Sequence, residues 1–333
     1  MPVSQQQIAQ ALNLSIITVS RALRNHPNLS DETRDRVLQK AQELGYAKTP
    51  GRARKSSGAP KRVGVIFYDS ATSAEPNFAS RVRNSIVYML QKECQRLNAE
   101  TLIENSFDNE IPMIVKNRAI DAAFIFGRYT EKTVAELRGI PTLAVSSFIK
   151  CPGLSRIVAD NVGGAQEITE HLIALGHRRI AFLGMKNART RIFRDRANGY
   201  LIAMNEHGLQ PAIHEDYDEW GTTHFQPPLA QLAGYTAIVC ASDSLAYYMQ
   251  TLMERSGRRL PEDCSIVAFD HLPEDHPTAP NKITSYAPDW GLMGHIAADV
   301  MINRPYDLQN KGVTITIPGK LHAYKSSMPI TTA

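Results

Sequence analysis

A short segment near the start of the chain, residues 15–23, carries side chains that could read the edges of DNA bases. Ile17 and Arg21 are four positions apart, which places them on one face of a helix, and Ile16 precedes them. A guanidinium can donate two hydrogen bonds to guanine, and isoleucine can contact the methyl group of thymine. Two alternatives stand beside this interpretation: Arg21 contacts phosphate or solvent, and Ile16 belongs to a small core.

Three polar residues in and after the same segment could hold the DNA backbone. Hydroxyl and amide groups donate to phosphate oxygens, and such contacts position a protein on the duplex without reading its sequence. The candidates are Thr18, Ser20 and Asn28. For each of them the alternative is a role in a helix cap or a turn.

The sequence lacks the residue patterns of common enzyme active sites. It has no Gly-x-Gly-x-x-Gly fingerprint after a strand, no Gly-x-x-x-x-Gly-Lys phosphate loop and no Gly-x-Ser-x-Gly turn. The ten histidines show no metal-ligand spacing, and the four cysteines are far apart, at Cys94, Cys151, Cys240 and Cys264. We therefore predict no catalytic residues, no cofactor and no metal.

Three short helices are predicted to position the DNA-reading segment. Ser4, Ser15 and Ser30 each precede a run whose apolar residues recur at helical spacing, which is typical of an N-cap. Two helices joined by a tight turn, with a third packed across them, form a helix-turn-helix, whose second helix enters the major groove.

The charge is distributed unevenly along the 333 residues. The net charge is only +4, but residues 1–62 contain 11 Lys or Arg against 4 Asp or Glu, and the remainder has a small acidic excess. A basic end on a mildly acidic protein indicates a polyanionic partner for that end.

The rest of the chain has the pattern of an α/β fold. Residues 47–62 are rich in Pro, Gly, Ser and basic side chains and are predicted to be a linker. Beyond them, apolar runs alternate with helix-length amphipathic segments, which predicts parallel sheets covered by helices. The runs are Val63–Tyr68, Ala122–Phe126, Thr142–Val145, Ile180–Leu183, Ala237–Cys240 and Ser265–Phe269. About 270 residues are more than one such unit needs, so we expect two lobes with a ligand cleft at the carboxyl ends of the strands.

The chain begins with a polar segment and contains no apolar run near the ~18 residues of a membrane span. We therefore expect a cytoplasmic protein with no membrane partner.

Several motifs resemble the LacI/GalR (lactose-repressor) family of bacterial transcriptional regulators along essentially the whole chain. They are the runs Leu14-Ser15-Ile16-Ile17-Thr18-Val19-Ser20-Arg21-Ala22-Leu23, Ser30-Asp31-Glu32-Thr33-Arg34, Asp160-Asn161, Leu175-Gly176-His177-Arg178, Ser242-Asp243 and Val267-Ala268-Phe269-Asp270. The resemblance implies a helix-turn-helix headpiece and a two-lobed core similar to periplasmic sugar-binding proteins. It further implies a homodimer or tetramer that binds pseudo-palindromic, double-stranded operator DNA, with a small effector, expected to be a sugar, in the cleft.

The resemblance also implies domain boundaries. Residues 1–46 are expected to form the headpiece, 47–62 the basic hinge or linker, and 63–333 the effector-binding and dimerisation domain. Lobe 1 is expected at about 63–159 plus 288–312, and lobe 2 at about 160–287 plus 313–333.

Carried over by position, the resemblance places Arg196 and Asp270 where the family contacts its effector. Arginine donating in a fork and aspartate accepting can together hold sugar hydroxyls, and the alternative is that the two side chains hold each other. Further candidates lie at strand ends or in loops near the cleft: Ser146, Ser242, Asp243, Asp69, Ser70, Phe78 and Trp220. For the last four, ordinary packing is the alternative.

Two positions depart from the family pattern. Where the family inserts a leucine into the minor groove, the linker has Lys55, near Arg52 and Arg54, so we predict basic backbone or minor-groove contacts with less bending of the DNA. Near the C-terminus, the family motif Leu-x-x-Arg-x-Ser has Tyr324 in place of arginine.

The sequence therefore predicts a sequence-specific DNA-binding transcriptional regulator, expected to be a repressor, that is controlled by a small effector. The alternative from another class is a solute-binding protein of a transport system, which the two-lobed core alone would suit. The basic headpiece favours the regulator.

Overall fold

The computed structural model describes residues 4–23, 30–44, 59–69, 78–107, 110–146, 149, 151–184, 191–215, 230–271, 282–305, 307, 309 and 311–330. The chain divides into two compact units, Met1–Ser56 and Ser57–Ala333. Among the described residues, no helix is both long enough and apolar enough to cross a membrane.

The described residues of the first unit form three helices, α1 (Gln5–Leu12), α2 (Ile16–Leu23) and α3 (Asp31–Glu43). All three predicted serine caps are present. Ser4 and Gln7 form a reciprocal capping box, Ser15 Oγ accepts from the backbone N–H of Thr18 at 3.0 Å, and Ser30 Oγ accepts from a backbone N–H in the first turn of α3. The helices enclose a small core of Ile8, Ala9, Val19, Ala22, Val37 and Ala41.

The first sheet of the second unit has six strands, all parallel. They are β1 (Arg62–Asp69), β2 (Glu100–Phe107), β3 (Ala122–Gly127), β4 (Thr142–Val145), β5 (Ser155–Ala159) and β11 (Thr314–Ile317), in the order β11-β5-β4-β3-β1-β2. The helices of this lobe are α4 (Phe78–Arg96), α5 (Met113–Lys116), α6 (Glu131–Glu136) and α10 (Trp290–Asn303). Helices α4 and α10 cover one face of the sheet and share its apolar core.

The second sheet also has six strands, parallel except for one. They are β6 (Ile180–Leu183), β7 (Ile213–His214), β8 (Ala237–Cys240), β9 (Ser265–Phe269), β10 (Thr284–Pro288) and β12 (Gly319–His322), in the order β12-β10-β9-β8-β6-β7. Strand β12 is antiparallel to β10. The helices of this lobe are α7 (Asn161–Ala174), α8 (Arg191–Glu206) and α9 (Asp243–Arg255). The predicted α/β fold with two parallel-sheet lobes is thereby confirmed.

In the described part of the chain, three crossings connect the two lobes, and they lie side by side. It passes from β5 into α7, from β10 into α10 and from β11 into β12. The backbone N–H of Asp160 donates to the carbonyl of Ile317 at 2.8 Å, and that of Asp289 donates to Pro318 at 3.1 Å. Both aspartates also cap the helix that follows them. The third crossing is thus hydrogen-bonded to the other two.

One predicted lobe boundary is wrong. The sequence-based division moved the chain to the second lobe after residue 312, but β11 pairs with β5 in the first sheet, so the crossing follows Ile317. The reason is that β11 is a half-exposed edge strand of alternating Thr and Ile, which lacks the continuous apolar run of a buried strand.

Candidate functional site

The second helix of the first unit presents part of the predicted DNA-reading surface. Ile16 begins α2 with 49% of its surface exposed and lies outside the three-helix core, so the alternative of a buried Ile16 does not hold. Arg21 lies in the last turn of α2 and is also exposed. Ile17 belongs to α2, but its side chain is outside the described part of the chain.

The remaining DNA-contact candidates fall into two groups. The hydroxyl of Thr18 is 2.8 Å from that of Ser15, so Thr18 takes part in the cap of α2, as the alternative interpretation held. Ser20 belongs to α2, but its side chain is outside the described part of the chain. The remaining candidates lie outside the described residues: Asn28, Arg52, Arg54 and Lys55.

A buried arginine connects two turns at the carboxyl edge of the second sheet to the start of α7. Arg196, in the second turn of α8, forms a two-pronged ion pair with Asp270, with Nη1–Oδ2 at 3.0 Å and Nη2–Oδ1 at 2.7 Å. Its Nη1 also donates to the carbonyl of Ala241 at 2.6 Å, and its Nε donates to Asn161 Oδ1 at 3.0 Å. The alternative that Arg196 and Asp270 hold each other is therefore what the structure shows. We call this pair the clamp.

The clamp is held by several contacts, but part of it remains available to a ligand. The Arg196 Cζ lies 3.7 Å from the centroid of the Phe269 ring, so the guanidinium is stacked as well as hydrogen-bonded. Four of its five N–H groups donate to described residues, and the second N–H of Nη2 donates to none of them. The Asp270 side chain is 18% exposed. The clamp can therefore offer one donor and free carboxylate lone pairs to hydroxyl groups.

Asp270 has an unusual backbone conformation. It follows β9 with φ at +98°, a region that residues other than glycine rarely occupy, and His271 is also left-handed, at +55°. The N–H of Asp270 donates to the carbonyl of Tyr286 at 3.0 Å, which fixes the turn against β10. Such strained positions are concentrated at binding sites.

Ser242 and Asp243, at the carboxyl end of β8, are more deeply buried than an effector contact requires. Ser242 is the N-cap of α9, with its Oγ 3.4 Å from the backbone nitrogen of Leu245, and only 3% of it is exposed. Asp243 is 1% exposed. The structure gives Ser242 a capping function, and direct effector contact by either residue remains a prediction.

The first-lobe candidates lie at the carboxyl edge of the first sheet. Ser146 follows β4, is half-buried and has φ at +48°. Asp69 ends β1 and Phe78 begins α4, but their side chains are outside the described part of the chain. Ser70 and Trp220 are outside it altogether.

Beside the clamp lies a group of stacked aromatic rings that the sequence did not predict. His271 stacks on His322, with ring centroids 4.5 Å apart, and is parallel to Tyr324, with centroids 5.8 Å apart. Lys282 Nζ lies 5.2 Å from the centroid of the Tyr324 ring. Where the family pattern has arginine, Tyr324 therefore takes part in ring stacking. The departure was visible in the sequence, but its partners come from separate elements.

The four cysteines are free and buried. Burial raises the pKa of Cys94 to about 11 and that of Cys264 to about 12, which makes the reactive thiolate scarce at neutral pH. Cys240 and Cys264 lie in the core of the second lobe, as small apolar residues would. The prediction that these two cysteines are buried core residues is confirmed.

Comparison with known proteins agrees with both units. Residues 6–48 match the family model described as bacterial regulatory proteins, lacI family, and residues 169–327 match the periplasmic binding protein-like domain. The chain carries the DNA-binding domain of the LacI family, followed by a periplasmic binding protein-like domain. It is a DNA-binding transcriptional regulator, as the sequence motifs predicted.

Named relatives of this regulator cover most of its length. The probable transcriptional repressor ExuR of Bacillus subtilis is 28% identical over 81% of this chain and 82% of the relative. The lac repressor dimer bound to operator and the anti-inducer ONPF is 21% identical, with a TM-score of 0.66, over 98% of this chain and 100% of that one. The regulator CelR in complex with cellobiose is also 21% identical, with a TM-score of 0.62 and the same coverage. At these identities the two structures show a shared fold.

Proposed function

We propose that this regulator is a repressor that binds operator DNA as a homodimer and changes its DNA affinity when a carbohydrate binds between its two lobes. The observation that carries this proposal is the clamp. It lies at the carboxyl edge of the second sheet, where parallel sheets bind ligands, and it is hydrogen-bonded to Asn161 at the first crossing between the lobes.

The proposal of a carbohydrate follows from the chemistry of the clamp. A sugar presents adjacent hydroxyl groups, each of which is both a donor and an acceptor, and the clamp offers an N–H beside a carboxylate. The related regulator CelR is described as a complex with cellobiose, which supports the same ligand class here.

The proposed DNA contacts lie on α2 and in the basic segment that follows the three helices. Ile16 and Arg21 are exposed on α2, and the first 62 residues carry the basic excess. We assign Arg21 to guanine and Ile16 to a thymine methyl group, with basic linker side chains at the phosphates. A regulator of this kind would act in the cytoplasm, where the chromosome is.

The homodimer is supported by exposed apolar side chains around the edge strand β2. Tyr88 is 64% exposed, Met113 55%, Ile103 49% and Phe107 45%. A long edge strand with apolar neighbours is normally covered by a partner. We assign this surface to a second copy of the chain, which would also provide the second headpiece for a two-fold operator.

A thermal-shift screen against glucose, ribose, sucrose and cellobiose tests the effector assignment. A sugar that binds the folded state raises the unfolding temperature with concentration, and Arg196→Lys should abolish that rise because lysine cannot form the two-pronged pair. The exposed Arg194→Lys on the same helix is the matched control. The assignment is contradicted if a sugar raises the unfolding temperature of Arg196→Lys as much as that of the wild type, or if no sugar raises the unfolding temperature of the wild type.

A further inference from the structure

A continuous path of side-chain hydrogen bonds leads from the clamp to the first crossing between the lobes. Arg196 Nε donates to Asn161 Oδ1 at 3.0 Å, and Asn161 Nδ2 donates to the carbonyl of Ala159 at 3.0 Å. Ala159 is the last residue of β5, and the next residue, Asp160, is bonded to Ile317 of the third crossing. One amide group therefore bridges the clamp and the crossing.

The bridging amide is well suited to transmit a displacement. Asn161 is 5% exposed and begins α7, so both of its polar atoms are bonded inside the protein. Its donor Nδ2 and its acceptor Oδ1 belong to one planar group, so a displacement of the partner of Oδ1 also displaces Nδ2. On the clamp side, the Arg196 guanidinium moves as a unit because it is planar and delocalised, and one of its faces is stacked on Phe269.

We propose that Asn161 is the positioning residue that couples the state of the Arg196–Asp270 clamp to the crossing between the lobes. Its use by an effector rests on the proposed function, but the coupling itself is a property of the protein alone. A ligand that withdraws Asp270 from Arg196 would move the guanidinium, and through Asn161 the end of β5, which biases the angle between the lobes.

A second path competes with this assignment. The N–H of Asp270 donates to the carbonyl of Tyr286, and the Tyr286 hydroxyl accepts from the N–H of Gly319 at 2.6 Å. This path reaches the third crossing without Asn161. An experiment must therefore separate the two.

Hydrogen exchange measured in a double-mutant cycle distinguishes the path through Asn161 from the path through Tyr286. The readout is the exchange rate of the Asp160 amide, which donates to Ile317, measured by mass spectrometry on overlapping peptides. Asp270→Asn loosens the clamp and is introduced into native, Asn161→Ala and Asn161→Asp backgrounds. Asn161→Asp keeps an acceptor for Arg196 but loses the donor to Ala159, and it replaces Asn161→Ala if that variant does not fold.

The proposal predicts that Asp270→Asn accelerates exchange by at least about twofold in the native background, the smallest factor expected for residues sharing one network, and leaves it unchanged in both Asn161 backgrounds. The control background is Asn303→Ala, which removes an exposed amide bonded to Asp299, and it should behave as the native protein does.

Equal acceleration in all backgrounds assigns the link to Tyr286 and overturns the proposal, as does the absence of acceleration in the native background. The measurement uses neither DNA nor sugar, so its failure is distinct from failure of the proposed function.

Discussion

At the scale of single residues, the clamp combines binding with structural support. Arg196 joins the turns after β5, β8 and β9, so its side chain organises the carboxyl edge of the second sheet before any effector is present. A buried ion pair of this kind is costly to break because one charge is left without its partner.

Replacement of the clamp arginine is expected to weaken the fold as well as the site. Arg196→Lys keeps the charge but loses the forked geometry and the stacking on Phe269, and we expect a free energy of unfolding lower by about 1.5–3 kcal/mol. Urea unfolding measures this. A loss no larger than that of the exposed Arg194→Lys would show that the clamp contributes little to stability.

Two histidines of the second lobe make stability depend on pH. His177 is 3% exposed and bonds Thr236 and the carbonyl of Met328 through its two ring nitrogens. Burial lowers its pKa below the ordinary 6.5, and burial followed by the charge of His177 lowers the pKa of His171. The unfolded chain therefore takes up protons first as the pH falls.

The contribution of these two histidines to the free energy of unfolding should consequently be constant between pH about 7 and 8 and decrease as the pH falls through 6.5. Urea titrations between pH about 5.5 and 8 test this. His177→Gln should decrease less steeply over that range, whereas His207→Gln, at an exposed position, should follow the wild type. A wild-type profile that rises on acidification would be incompatible with the lowered pKa values.

At the scale of elements, the close approach of α4 and α10 depends on a glycine. A Cβ at Gly294 would lie 2.7 Å from the Met89 Cβ and 2.8 Å from the carbonyl oxygen of Ile86. At Gly291, in the same helix, the nearest atom would be 3.5 Å away. The two positions differ in space although both are helical.

Gly294→Ala is therefore expected to destabilise the protein by about 1–3 kcal/mol, because the helices must separate. Gly291→Ala should be neutral or stabilising by up to about 1 kcal/mol, because alanine favours the helix. Thermal unfolding of both variants compares them directly. Equal effects would mean that helix propensity, and not packing, decides both positions.

The elements that the sequence predicted are those with a strong local signal. Serine caps and apolar periodicity located the three headpiece helices, and continuous apolar runs located the buried strands β1, β3, β4, β6, β8 and β9. The edge strands β2, β7, β11 and β12 alternate or are short, so their pairing is decided by the sheet and not by their own residues.

The candidate site was predictable only in part for a related reason. Arg196 and Asp270 were found because their motifs match a family, but their partners Asn161 and Ala241 are distant in sequence and meet them only in the fold. The bond from Arg196 to Asn161 has no signature in a single sequence, since asparagine at a helix start is also an ordinary capping residue.

At the scale of the whole molecule, we assign separate functions to two regions of opposite charge. The basic first 62 residues would hold DNA, twice in a homodimer, and the mildly acidic remainder would sense the effector. In the proposed homodimer, an effector would alter the spacing of the paired headpieces through the first crossing between the lobes, to which the clamp is bonded.

The most direct test is a fluorescence-anisotropy titration of a labelled duplex, selected by the purified protein from a random pool, with and without each sugar of the panel. We predict binding at least about 10³-fold tighter than to an unrelated duplex. With about five phosphates neutralised per protomer, log K should decrease with log salt at a slope near −9. One sugar should change the operator affinity by at least about fivefold. Equal affinity for all duplexes, unaffected by any sugar, would contradict the account.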